Sequence, residues 1–190
     1  MNSGMSRPQL ESFGRGPALL AIALRQFPKK MWLYKPSLDR WCIHEIILHL
    51  ADSEASAYVW CRQLIVEPGS ITAKFDAGKW AGTLGYFHQS NREALKIICH
   101  LRRMTYQLLL TLPDPVWEST AQHPAQDGMS LAQWMDIQER HIPCHINQMK
   151  RNYQEWLQIP PRSKPVASYW RSNPSMDQSS GYANRFKRQG

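Results

Sequence analysis

Apolar residues recur at helical spacing in four separate stretches of this chain, and that periodicity predicts four helices with no convincing strand pair. The first is expected around Pro17 to Phe27, where Leu20, Leu24 and Phe27 fall on one face. Pro17 sits at its start, where a missing N–H costs least, and Pro28 closes it. The second runs from about Ile43 to Ile65 on a stripe of Ile43, Ile46, Ile47, Leu50, Ala57, Cys61 and Leu64, ended by Pro68-Gly69. A loop from Glu67 to about Tyr86, with four glycines, separates it from the third. Ser90 and Glu93 open that helix as a capping box; its stripe runs from Leu95 through Ile98, Leu101, Thr105, Leu108 and Leu109 to Leu112, and Pro113 stops it. The fourth starts after Asp127-Gly128 with a second capping box, Ser130 and Gln133. Its inward positions read Leu131, Trp134, Gln138, His141, His145, Met149, Asn152 and Trp156. The expected architecture is an all-α four-helix bundle over residues 17–159, preceded by an extension over residues 1–16.

Composition changes this picture mainly at the end of the chain. The 190 residues are 43% hydrophobic, enough for a single packed domain, and no run approaches the ~18 to 20 apolar residues that span a bilayer. The first residues lack the basic-then-apolar order of a secretion signal, so a cytoplasmic location without membrane contact is expected. Between Pro160 and Gly190 lie six basic residues (Arg162, Lys164, Arg171, Arg185, Lys187, Arg188) and one acid (Asp177), so this tail carries +5 of the net +8 and leaves +3 for the body. Poor in Leu, Ile and Val, residues 160–190 read as a basic disordered extension. Its aromatics among cations are compatible with RNA contact, yet a solubilising role is preferred and nucleic acid is not expected as a partner. The four cysteines, at 42, 61, 99 and 144, form no Cys-x-x-Cys pair and read as scattered reduced thiols.

The chemistry lies in the histidines. Of seven, His141 and His145 sit four apart on the core-facing stripe of the fourth helix, which puts both rings on one side about 6 Å apart. An unsatisfied polar ring in a core costs on the order of 1 to 3 kcal/mol, and two adjacent ones call for a shared partner. On this pair alone a metal and a solvated face both remain open. A third ligand has to come from another helix, and His49, beside Ile46 and Leu50, is the candidate. Three imidazoles with a fourth position open resemble a catalytic more than a structural site. The run HEIILH at residues 44–49 is one residue too long for a zinc-protease motif: His44 and His49 are turned about 140° apart on a regular helix. His88, His100 and His123 read as surface or loop histidines, and Cys144 as a flanking thiol. Asp52, Gln138 and Glu54 are the polar neighbours weighed as orienting groups or as a base, each against a plain helix-face role. Trp80 and Tyr86 are the apolar contacts expected if the glycine-containing loop covers the site.

These residues resemble a known family. RWCIHEIILHLADSE is similar to the second-helix signature of the DinB/YfiT-like superfamily, with its Trp before the helix and its His-Leu pair followed by an acid. GMSLAQWMDIQERHIPCHINQM resembles the family's last helix, and the stretch from Trp80 to Pro113 its third, so the likeness covers residues 17–157. It implies a bundle, often a homodimer, whose three histidines bind a divalent ion; by motif match these are His49, His141 and His145. Zinc, nickel, iron or manganese would serve as the ion. Implied activities are metal-dependent hydrolysis of a small-molecule substrate or transfer to a low-molecular-weight thiol. The competing expectation is a non-catalytic metal-binding or stress-associated interaction protein. Two departures stand out: Pro143 between the paired histidines, expected to kink the helix, and Cys42 where a serine cap is usual.

Overall fold

The computed structural model describes residues 7–71, 75–123 and 126–160, and the basic tail expected from residue 160 onward lies outside them beyond Pro160. Among the described residues, three short 3-10 turns aside, the main elements are five α-helices and one hairpin. They are α1 (Arg7–Arg25), α2 (Ile43–Val66), α3 (Ala77–Thr83), α4 (Asn91–Leu109), β1 (Thr120–His123), β2 (Gln126–Ser130) and α5 (Leu131–Gln158). The four long helices form the bundle. α1 and α2 each pack against both α4 and α5, so α1 lies diagonally across from α2 and α4 across from α5. This ring order is not the order of the chain. Among the described residues no helix is long and apolar enough to cross a membrane.

Three expectations need correction. The first helix starts at Arg7 and not near Pro17, so residues 7–16, expected as an extension, belong to the bundle and bury Leu10 and Phe13. Two glycines of α1 allow close packing: a Cβ on Gly14 would meet the Tyr106 ring at 3.0 Å, and one on Gly16 would meet Ile142 Cδ1 at 3.0 Å. Secondly, the Glu67–Tyr86 loop contains α3, capped by Asp76, whose carboxylate accepts from Lys79 N at 3.0 Å. Thirdly, a strand pair exists. β1 and β2 are antiparallel, with an irregularity between Ala121 and His123 that a two-residue alternation cannot reveal. Gly128, at φ +81°, takes a conformation open to few other residues.

The capping signals locate the main helix starts well. Ser130 and Gln133 exchange both bonds of the capping box at 2.9 and 3.1 Å. Ser90 accepts from Glu93 N, while the Glu93 carboxylate turns to Lys96 instead. At α2 the weak cap Cys42 is helped by Glu45, which accepts from Cys42 N at 2.9 Å and is ion-paired with the buried Lys35 at 2.9 Å. Helix α5 runs continuously through Pro143 for its full 28 residues, so any kink at that proline does not interrupt the helix.

Two apolar clusters fill the bundle, one around Ile46, Ile98 and Ile142 and the other around Phe13, Leu109 and Trp134. Between them lies an ion pair. Arg102, 0% exposed, gives Glu54 Oε2 two hydrogen bonds, 2.6 Å from Nη2 and 3.0 Å from Nε. Its Nη1 donates to the carbonyl of Gln138 at 3.0 Å, and its guanidinium lies 4.0 Å from the Phe13 ring centre. Helices α1, α2, α4 and α5 therefore meet on one side chain. Removing the cation strands a buried carboxylate, so Arg102→Ala is expected to lose about 3 to 5 kcal/mol in urea unfolding. A Glu54→Leu/Arg102→Met double variant, which buries no charge, should recover most of that loss; an equal loss in both would contradict this reading.

Candidate metal centre

Helix α2 supplies His49 and α5 supplies His141 and His145, all on inward faces. His49 is 4% exposed and the other two are half-buried. Their Nε2 atoms converge: His49 lies 3.3 Å and His145 3.1 Å from His141 Nε2. One nitrogen from each of the three rings falls within 4.8 Å of the other two. For bonds of about 2.0 to 2.1 Å in tetrahedral directions, ligand nitrogens stand about 3.3 to 3.4 Å apart, close to the 3.3 and 3.1 Å of the two pairs that include His141. The rings are mutually edge-on, with interplanar angles of 62° to 82°.

Protonation fits the same use. Burial, then the other two histidines, pulls the His49 pKa down to about 3. Burial, then His145 and Arg102, does the same to His141, and burial lowers His145 against the opposing pull of Gln148. All three rings are thus neutral at pH 7, the form that ligates. The proton of His145 is placed by Gln148, one turn along α5: Nδ1–H donates to Oε1 at 2.9 Å and leaves the Nε2 lone pair facing inward. Gln148 was not singled out in the sequence, although its i+3 spacing from His145 is the signal that finds it.

The polar neighbours that were singled out are mostly engaged elsewhere. Asp52 accepts from the Tyr86 hydroxyl at 2.6 Å, and Glu54 is taken by Arg102. Gln138 lends its backbone carbonyl to Arg102, and its side-chain oxygen is buried without a partner. Tyr86 is not a cover but a core residue, 2% exposed. Trp80 does reach the site, indirectly: it packs edge-on against Phe75 at 4.9 Å, and Phe75 lies 5.9 Å from the His49 ring. Trp80 also lines a cleft of about 450 Å³ along α3 with Asp76, Lys79, Thr83 and Leu84.

The other histidines whose side chains are described stay apart from this cluster. His44 bonds the Tyr86 carbonyl at 2.8 Å and stacks on Phe87, while His88 and His100 are exposed. His123 falls in β1, and its side chain lies outside the described residues. Cys144 and Cys99 are exposed, whereas burial pushes the Cys42 thiol up and the Cys61 thiol to about 12. Those two buried thiols remain protonated and unreactive.

A four-helix bundle with three convergent, neutral imidazoles is the class of protein that fold and site define. The chain belongs to the DinB superfamily, whose family model matches residues 12–149. A protein of Oceanobacillus iheyensis described as a candidate metal-dependent hydrolase is 27% identical over 106 residues, 56% of this chain. The chain spans 61% of the length of that relative. The solved structure of YfiT from Bacillus subtilis, described as a probable metal-dependent hydrolase with an unusual four-helix bundle topology, superposes with a TM-score of 0.73 at 18% identity. That match covers 81% of this chain and 91% of YfiT.

If Gln148 fixes the His145 tautomer, Gln148→Ala should weaken divalent-metal affinity about 10- to 100-fold while leaving thermal unfolding of the metal-free protein nearly unchanged. Chelator competition measures the first and calorimetry the second. Unaltered affinity would dismiss the role.

Proposed function

We propose that His49, His141 and His145 hold one divalent metal ion and that the protein uses it to hydrolyse a small-molecule substrate. The observation that carries this reading is the gathering of one nitrogen from each of three rings on two helices within 4.8 Å, with His49 and His145 at 3.3 and 3.1 Å from His141 Nε2. The two relatives described as metal-dependent hydrolases support it. When bound, the ion supplies Lewis acidity, polarising a substrate carbonyl and acidifying a water. The chain's own residues do the rest. Gln148 keeps the His145 lone pair directed inward, and Trp41 and Phe75 shield the His49 side of the cluster. Trp80 extends that apolar wall toward the cleft on α3, which offers room for the non-reacting part of a substrate.

A second reading has one observation in its favour. Glu54, one of the two carboxylates of α2 that follow His49, is ion-paired, and the other, Asp52, is hydrogen-bonded by Tyr86; neither stands ready as a base. Transfer to a low-molecular-weight thiol asks less of a base: a thiol is more acidic than water, and a bound cation would lower its pKa further, so that its proton passes to solvent and leaves the thiolate.

The test begins with untagged protein and elemental analysis. About one equivalent of metal is expected in the wild type and far less in His145→Ala. Added metal at 100 times its Kd should stabilise the wild type by about 2.7 kcal/mol. Turnover should then appear on a panel of small esters and amides, or in thiol conjugation, and vanish with chelator. Stoichiometric metal without turnover on any panel would replace the enzyme by a metal-binding interaction protein, and absence of metal would remove the site.

A further inference from the structure

The three histidines are not held in the same way. His145 donates its second N–H to Gln148, but the Nδ1 of His49 is buried and has no hydrogen-bond partner. A metal-bound imidazole ordinarily donates that proton to a carboxylate, carbonyl or water, which fixes the ring plane. His49 has aromatic faces instead. The Trp41 indole lies 4.6 Å from it, tilted by 43°, and Phe75 lies 5.9 Å away at 30°. The same indole stands 6.4 Å from His145 and nearly parallel to it, at 22°. One ring therefore touches ligands from both helices.

Trp41 belongs to neither helix; it lies in the connection before α2, where an untethered side chain would have little fixed direction. Its backbone is anchored on both sides. Asn152 of α5, 0% exposed, donates from Nδ2 to the Trp41 carbonyl at 2.8 Å and accepts from Arg40 Nη2 at 3.0 Å. Arg40 Nη1 also reaches both carboxylate oxygens of Glu155, at 2.8 and 3.0 Å. On the following residue Cys42 N is bound by Glu45, which Lys35 holds in turn. A fully buried amide spent on one loop carbonyl ties the indole to the helix that carries His141 and His145.

Resting on the reading of a three-histidine metal site, we propose that Trp41 is a positioning residue. Clamped to α5 through Asn152, its indole sets the ring plane of His49 in place of the missing hydrogen bond, and so determines how tightly and with what geometry the site holds a divalent ion.

Cobalt(II) is the probe, because chelator competition gives its affinity and its visible spectrum reports coordination. Trp41→Ala should bind cobalt about 10- to 100-fold more weakly, with an altered spectrum, as expected for loss of an orienting neighbour. Trp41→Phe, which keeps a flat face, should recover most of the affinity. Trp41→Leu, which keeps apolar volume without a plane, should not; a merely structural role predicts the opposite for leucine. Asn152→Ala should show a smaller loss that does not add to that of Trp41→Ala, since both act through one ring. If Asn152→Ala does not fold, Arg40→Ala loosens the same connection from a partly exposed position. Wild-type affinity and spectrum in Trp41→Ala, or full additivity with the clamp variant, would overturn the proposal. A wild type that binds no cobalt would instead overturn the metal site itself, a failure recognisable before any variant is compared.

Discussion

Both imidazole neighbours of His141 meet it at the same Nε2, which in a neutral ring carries either a proton or a lone pair and so cannot donate to one and accept from the other. The centre of this bundle is organised around that constraint. Each ring brings one proton and one lone pair. With the His145 proton committed to Gln148, its Nε2 faces His141 Nε2 at 3.1 Å as a lone pair, and His49 approaches the same atom at 3.3 Å. Burial keeps the rings from charging at neutral pH, so protons do not relieve the crowding. A cation at the point of convergence does. The donor set is all nitrogen, which favours a borderline metal over magnesium or calcium.

The scaffold delivers these rings through features that lie well away from them. α2 and α5 are adjacent in the bundle, so a residue early in α2 meets the middle of α5. The Arg102–Glu54 pair ties α2 to α4 and, through the Gln138 carbonyl, to α5 one turn before His141. Close approach of α1 at Gly14 and Gly16 seats it against α4 and α5. A buried ion pair is weak evidence for net stability, but with hydrogen bonds to several helices it penalises any other register of those helices.

Much of this was legible in the sequence because helix periodicity, caps and an i,i+4 histidine pair are local signals. The starts of α2, α4 and α5 follow from Ile43, Ser90 and Ser130, and the candidate ligands from stripe position and motif. What was not legible depends on contacts across the chain. Gly14 and Gly16 look like punctuation until Tyr106 and Ile142 are seen to need the space. Glu54 looks like a free carboxylate until Arg102, 48 residues on, is found against it. Trp41 carries no helical phase of its own, and the contacts that accompany its place beside the histidines, such as the bond of its carbonyl to Asn152, reach 111 residues along the chain. The hairpin of β1 and β2 escaped because its strands are short, four and five residues, and too brief for an alternating apolar pattern to stand out.

The central claim is that nitrogen atoms of two helices share one ion. X-ray absorption at the metal edge of the loaded protein addresses it most directly. The account predicts three imidazole nitrogens at about 2.0 to 2.1 Å, falling to two when His49 is replaced by alanine. A spectrum with one imidazole or none, or one that does not change on that replacement, would contradict it.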